Sequence, residues 1–74
     1  MDSLELENRL LSAFSKCQAA VIDMTGTGSN FELRLSTPDL EEMSRVKRHQ
    51  TIMALFKDEL SSGEIHALTI KYIK

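Results

Sequence analysis

The chain has 74 residues, which leaves room for one domain around one small core. A formal net charge of −2 excludes a wholly electrostatic nucleic-acid binder, so any such contact must rest on local basic density. The single cysteine excludes an internal disulfide and fits a reducing compartment. The N-terminus has neither the basic n-region nor the apolar h-region of a secretory signal, and no apolar run could span a bilayer. A cytoplasmic protein without membrane contact is therefore expected.

Asp2 can cap a first helix, with Glu5 completing a capping-box-like pair. Leu6, Leu10, Ala13, Phe14 and Cys17 follow at spacings of three and four, which predicts a helix from about Ser3 to about Lys16. Cys17 closes that stripe as a small buried hydrophobe rather than a nucleophile. Ala19 to Met24 reads as a short strand, and Thr25 to Asn30, rich in glycine, reads as a hairpin turn. It lacks the Gly-Lys-Ser/Thr ending of a phosphate loop. Phe31, Leu33 and Leu35 alternate with Glu32, Arg34 and Ser36, the pattern of a strand with one buried and one solvated face. Thr37-Pro38 is a helix-start signal and Ser44 a second one, so residues 37–43 form either a loop or an extra turn.

Ser44-Arg45-Val46-Lys47-Arg48-His49-Gln50 is the densest basic cluster and opens the strongest helical pattern. At about 100° per residue, Val46, His49, Met53, Phe56 and Leu60 share one face, expected to be the core face. Arg45, Arg48, Ile52 and Leu55 form a mixed margin, suited either to a neighbouring loop or to a docked partner. The helix should end near Leu60, with Ser61-Ser62-Gly63 as terminator. From Glu64 the chain alternates again, with Leu68, Ile70 and Tyr72 on one face and Ala67, Thr69 and Lys71 on the other. The order helix, strand, strand, helix, strand predicts an α+β two-layer sandwich, with a short helical turn allowed ahead of the last strand.

No catalytic constellation is visible. One cysteine and two histidines could make a nucleophile–base pair only if the fold joined them, and Cys17 is placed on a core face. Cys17, His49 and His66 are too few for a complete zinc site. The chain is expected not to be an enzyme.

Ser44-Arg45-Val46-Lys47-Arg48-His49-Gln50, followed by Glu59-Leu60, Gly63 and Ile65-His66-Ala67-Leu68, resembles the signature of the BolA family. The likeness is close over the second half and looser over the leading helix and hairpin, and makes residues 1–74 a single BolA-like domain. It implies a fold related to class II KH domains, although the G-x-x-G loop that clamps RNA in true KH domains is not visible here. It also implies a monothiol glutaredoxin partner sharing a [2Fe–2S] cluster, with thiolates from the glutaredoxin cysteine and glutathione and an imidazole from His66. The isolated protein should hold no cluster. Family members often carry His or Cys just before the strand that begins at Phe31, where this chain has Asn30.

The expected function is a non-enzymatic adaptor or regulator in iron–sulfur cluster trafficking or iron homeostasis. His66 is the metal-ligand candidate, and Arg45, Arg48, Ile52 and Leu55 are the candidates for partner docking. The alternative is a DNA-binding transcription regulator using Arg45, Lys47 and Arg48 on phosphates, with weak and salt-sensitive binding. A purely structural interaction module is a third reading.

Overall fold

The computed structural model describes residues 2–73. Asp2 caps the first helix, α1 (Ser3–Ala13), its carboxylate accepting a 2.9 Å hydrogen bond from the Glu5 N–H. Leu6 and Leu10, a helical turn apart, are fully buried. The helix stops short of Lys16 because tertiary partners capture the next residues. Asp39 accepts hydrogen bonds from the Ser15 N–H (2.9 Å) and hydroxyl (3.0 Å), and the Thr37 hydroxyl donates to the Ser15 carbonyl (2.7 Å). Lys16 then turns the chain in the left-handed region, at φ 50°. Cys17 therefore lies in the connection after the helix, half-buried against the core, and not on a helical stripe. Burial pushes its thiol pKa up, with Asp39 adding to the shift.

Three strands follow the alternation in the sequence: β1 (Gln18–Asp23), β2 (Asn30–Ser36) and β3 (Ala67–Tyr72). They lie in the order β1-β2-β3, with β1 antiparallel and β3 parallel to the central β2. Phe31, Leu33 and Leu35 of β2 fill the inner face and are buried with Leu6, Leu10, Ile52 and Phe56 of the helical layer. The architecture is the expected two-layer α+β sandwich. The β1–β2 turn is closed by the Asp23 carboxylate, which accepts from the N–H groups of Gly26 and Gly28, both at 2.9 Å.

Glu32 departs from the expected solvated row. It is 5% exposed, although its strand neighbour Arg34 on the same face is open to solvent. Arg34 and Lys71 are direct cross-strand partners, an unfavourable pairing of like charges. Glu32 bridges them, accepting from Arg34 Nε at 2.7 Å and Lys71 Nζ at 3.2 Å.

Residues 37–43, left open by the sequence, contain one helical turn, α2 (Pro38–Glu41), capped by Thr37. Next come α3 (Arg45–Leu55), with Ser44 as N-cap, and α4 (Lys57–Ser62), ended by Gly63 at φ 88°. The single helix expected to reach Leu60 is thus broken at Phe56, whose backbone (φ −115°, ψ 20°) leaves the helical region. The inner face also differs from the expected one. Val46 is 67% exposed and His49 is exposed, while Ile52 is fully buried. The stripe that meets the sheet is Arg48, Ile52, Leu55 and Phe56, because Arg48 lays its guanidinium over the Tyr72 ring, 4.9 Å from its centroid. A charged residue whose flat head can stack on an aromatic ring serves here as a core-facing position.

Phe56, 0% exposed, anchors both the helix break and the core. Phe56→Ala should cost about 3–5 kcal/mol, read as a lower midpoint in denaturant. An unchanged midpoint would contradict this packing. Glu32 gives a pH signature. The hydrogen bond from Arg34, then that from Lys71, holds its carboxyl below the usual carboxylate range. A depressed folded-state pKa contributes stability above the unfolded-state value that is lost as pH falls through the folded one. Between about pH 6 and about pH 3, the thermal midpoint should fall more steeply for the parent than for Glu32→Gln.

Candidate functional site

The residues singled out by the sequence fall at two places, at opposite ends of β3. About 20 Å separates them, at the rise of a strand over its length.

At the N-terminal end stands His66. Gly63 ends α4, and Ile65 then plugs into the core at 1% exposure, its N–H bonded to the Glu59 carbonyl at 3.1 Å. His66 follows with an exposed side chain, while its N–H donates to the Ser29 carbonyl at 2.7 Å. Asn30 pairs in register with Ala67, the residue after His66. The fold thus sets the hairpin end and His66 side by side. Among the described residues, no three His, Cys, Asp or Glu side chains gather as a metal site. His66 can offer one imidazole to a metal held mainly by another molecule. Asn30 is a poor iron ligand, and Cys17 lies at the opposite end of the sheet, before the residue paired with Ser36.

At the C-terminal end a groove of about 890 Å³ runs between the α2–α3 corner and β3. Arg45, Arg48 and His49 line its helical side; Leu40 and Glu41 contribute from α2, and Ile70, Tyr72 and Ile73 from the strand side. The basic residues are only partly brought together: Arg45 and Arg48 share the groove, and Lys47 is exposed outside it. Ile52, expected among the docking residues, is fully buried in the core and is not available on the surface. Leu55 is half-buried, and its carbonyl accepts from Arg9 Nη1 at 3.0 Å.

Two donors in this groove lack partners among the described residues, Arg48 Nε and the Tyr72 hydroxyl, and both atoms are buried. An orphaned buried donor costs about 1–3 kcal/mol. Burial raises the Tyr72 phenol pKa, with Arg48 opposing, so the group remains a neutral donor. The sequence pattern places Tyr72 simply on an apolar strand face. The missed signal was a tyrosine on an inward row, since its hydroxyl must find a partner.

The model of the BolA-like protein family matches residues 3–74. The chain belongs to the BolA family. Among its BolA relatives, it is 30% identical over 71 residues to the acid stress protein IbaG of Escherichia coli K12, covering 96% of this chain and 81% of that one. It is 34% identical over 68 residues to protein BOLA2 of Arabidopsis thaliana, covering 90% and 71%. The structure of the BolA domain of SufE1 from Arabidopsis thaliana superposes with a TM-score of 0.81 at 30% identity, over 95% of this chain and 87% of that one. Among the described residues, no helix is long and apolar enough to cross a membrane.

Because the Tyr72 hydroxyl has no partner, Tyr72→Phe should leave stability unchanged or slightly raised in a denaturant titration. A loss well above about 1 kcal/mol would reveal a hydrogen bond to that hydroxyl.

Proposed function

We propose that this BolA-family chain is a non-enzymatic adaptor or regulator in iron–sulfur cluster trafficking or iron homeostasis, and that it pairs with a monothiol glutaredoxin across a shared [2Fe–2S] cluster. The carrying observation is His66, an exposed imidazole on a backbone fixed from both sides, by the buried Ile65 and by the Ser29 carbonyl. A ligand held this way needs little ordering when a partner brings the metal. The chain supplies one donor, so the glutaredoxin cysteine and glutathione would provide the thiolates. An imidazole in place of a thiolate raises a cluster's reduction potential.

The DNA reading needs Arg45, Lys47 and Arg48 to act along one phosphate backbone. Arg48 is stacked on Tyr72 and Lys47 lies outside the groove, which favours the adaptor reading.

Mixed with a monothiol glutaredoxin and glutathione, the parent should form a complex whose visible absorption and circular dichroism differ from those of the glutaredoxin homodimer. His66→Ala should abolish that difference or make the cluster labile while the thermal midpoint stays near the parent's, because the side chain is exposed. Asn30→His, at the position paired with Ala67, the residue after His66, should lengthen the cluster's lifetime. A His66→Ala complex with the parent's spectrum and lifetime would remove His66 from the ligand set.

A further inference from the structure

The groove at the C-terminal end of β3 has a chemistry that the cluster-sharing role leaves unused. Its two buried orphan groups, Arg48 Nε and the Tyr72 hydroxyl, are both donors. Arg48 Nε can only donate and the Tyr72 hydroxyl can also donate, so a ligand that brings acceptors satisfies both. The ion pairs formed among the described residues involve neither Arg45, Arg48 nor Glu41, so the groove's lining carries two guanidinium groups against one carboxylate, a local positive excess within a chain of formal net charge −2. The remaining wall is different in kind: Leu40, Ile70 and Ile73 present hydrocarbon, and Ile73 is 44% exposed.

We propose that this groove is a binding site for a small monocarboxylate with an apolar body, its carboxylate on Arg48 and Tyr72 and its hydrocarbon along Leu40, Ile70 and Ile73. The guanidinium edge matches a carboxylate's two oxygens, a pairing stronger and more directional than one with a single acceptor. Tyr72 adds a donor beside it, and Arg45 on the same side favours the negative charge. An inorganic anion would satisfy the donors and leave the apolar wall in water. A neutral amide of the same shape would cover the wall and leave the groove's positive excess in place. The volume of about 890 Å³ is ample for a six- to eight-carbon acid. In the present arrangement Arg48 lies flat on the Tyr72 ring and both orphan atoms are covered. Binding therefore requires the Arg48 guanidinium to shift from the ring.

The test is a titration of the isotope-labelled full chain followed by amide and side-chain NMR shifts, with hexanoate, hexanamide and inorganic phosphate as separate probes. Hexanoate should give saturable shifts at Arg48, Tyr72 and Ile73, and neither of the other probes should do so at the same concentrations. Arg48→Gln should weaken hexanoate binding by about tenfold or more, as expected for loss of a charge-assisted pair. Tyr72→Phe should weaken it by a smaller factor without lowering the thermal midpoint, which keeps the test decisive if Arg48→Gln fails to fold. The proposal is overturned if hexanamide shifts the same residues equally, if phosphate binds as well as hexanoate, if no saturation is reached, or if Tyr72→Phe binds hexanoate like the parent.

Discussion

The arrangement of the helical layer depends on one side chain of α1, Arg9. Its guanidinium donates to the Leu55 carbonyl at 3.0 Å and to both carboxylate oxygens of Glu59, at 2.7 and 3.2 Å, and it lies 5.2 Å from the centroid of the Phe56 ring. Leu55 is the last residue of α3, so its carbonyl is one that the helix itself cannot satisfy. The break at Phe56 opens that carbonyl, and Arg9 closes it from another helix. A half-exposed ion pair alone would contribute little. Here the fork geometry, the carbonyl and the ring act together to fix where α3 stops and α4 begins. That in turn sets where Gly63 turns the chain and where Ile65 enters the core.

The parts of the fold legible in the sequence are those governed by local rules. The β2 alternation, the Asp2 and Ser44 caps and the Gly63 stop each follow from a side chain acting on its own neighbourhood. The parts that were not legible are set by residues distant in sequence. α1 ends early because Asp39 and Thr37 take the Ser15 backbone. The α3–α4 break depends on Arg9. The inner stripe of α3 was misassigned because Arg48 occupies a core-facing position, and a rule that sends charge outward moves the stripe toward Val46 and His49. Once Arg48 is allowed inward, Arg48, Ile52, Leu55 and Phe56 form a regular series at helical spacing. Glu32 was hidden in the same way, since its burial comes from two cations brought together by β2–β3 pairing.

The site divides along the same line. The strand-start position of His66 is legible because a glycine turn precedes an alternating run, while its candidacy as a ligand rests on the resemblance to the BolA signature; the nearness of Asn30 follows from register. The groove could not be located, because its walls come from α2, α3 and β3, and only the tertiary fold brings Leu40 near Ile73. Separation of these two places by the length of β3 means that a macromolecule held at His66 and a small molecule in the groove would not compete directly for the same atoms.

The parallel pairing of β2 with β3 has a consequence for the order in which the molecule assembles. Antiparallel β1 and β2 need only a short turn between them, whereas Asn30 meets Ala67 only after the three helices α2, α3 and α4 of the crossover have been traversed. Closing that long loop is the entropically slow step, and it cannot be rewarded until the parallel ladder forms. The Ser29 carbonyl that holds the His66 backbone belongs to the early hairpin, and His66 itself to the late strand. The backbone bond that positions the imidazole thus joins an element of the local hairpin to one that reaches it only across the crossover. Placement of the His66 side chain is therefore coupled to completion of the sheet.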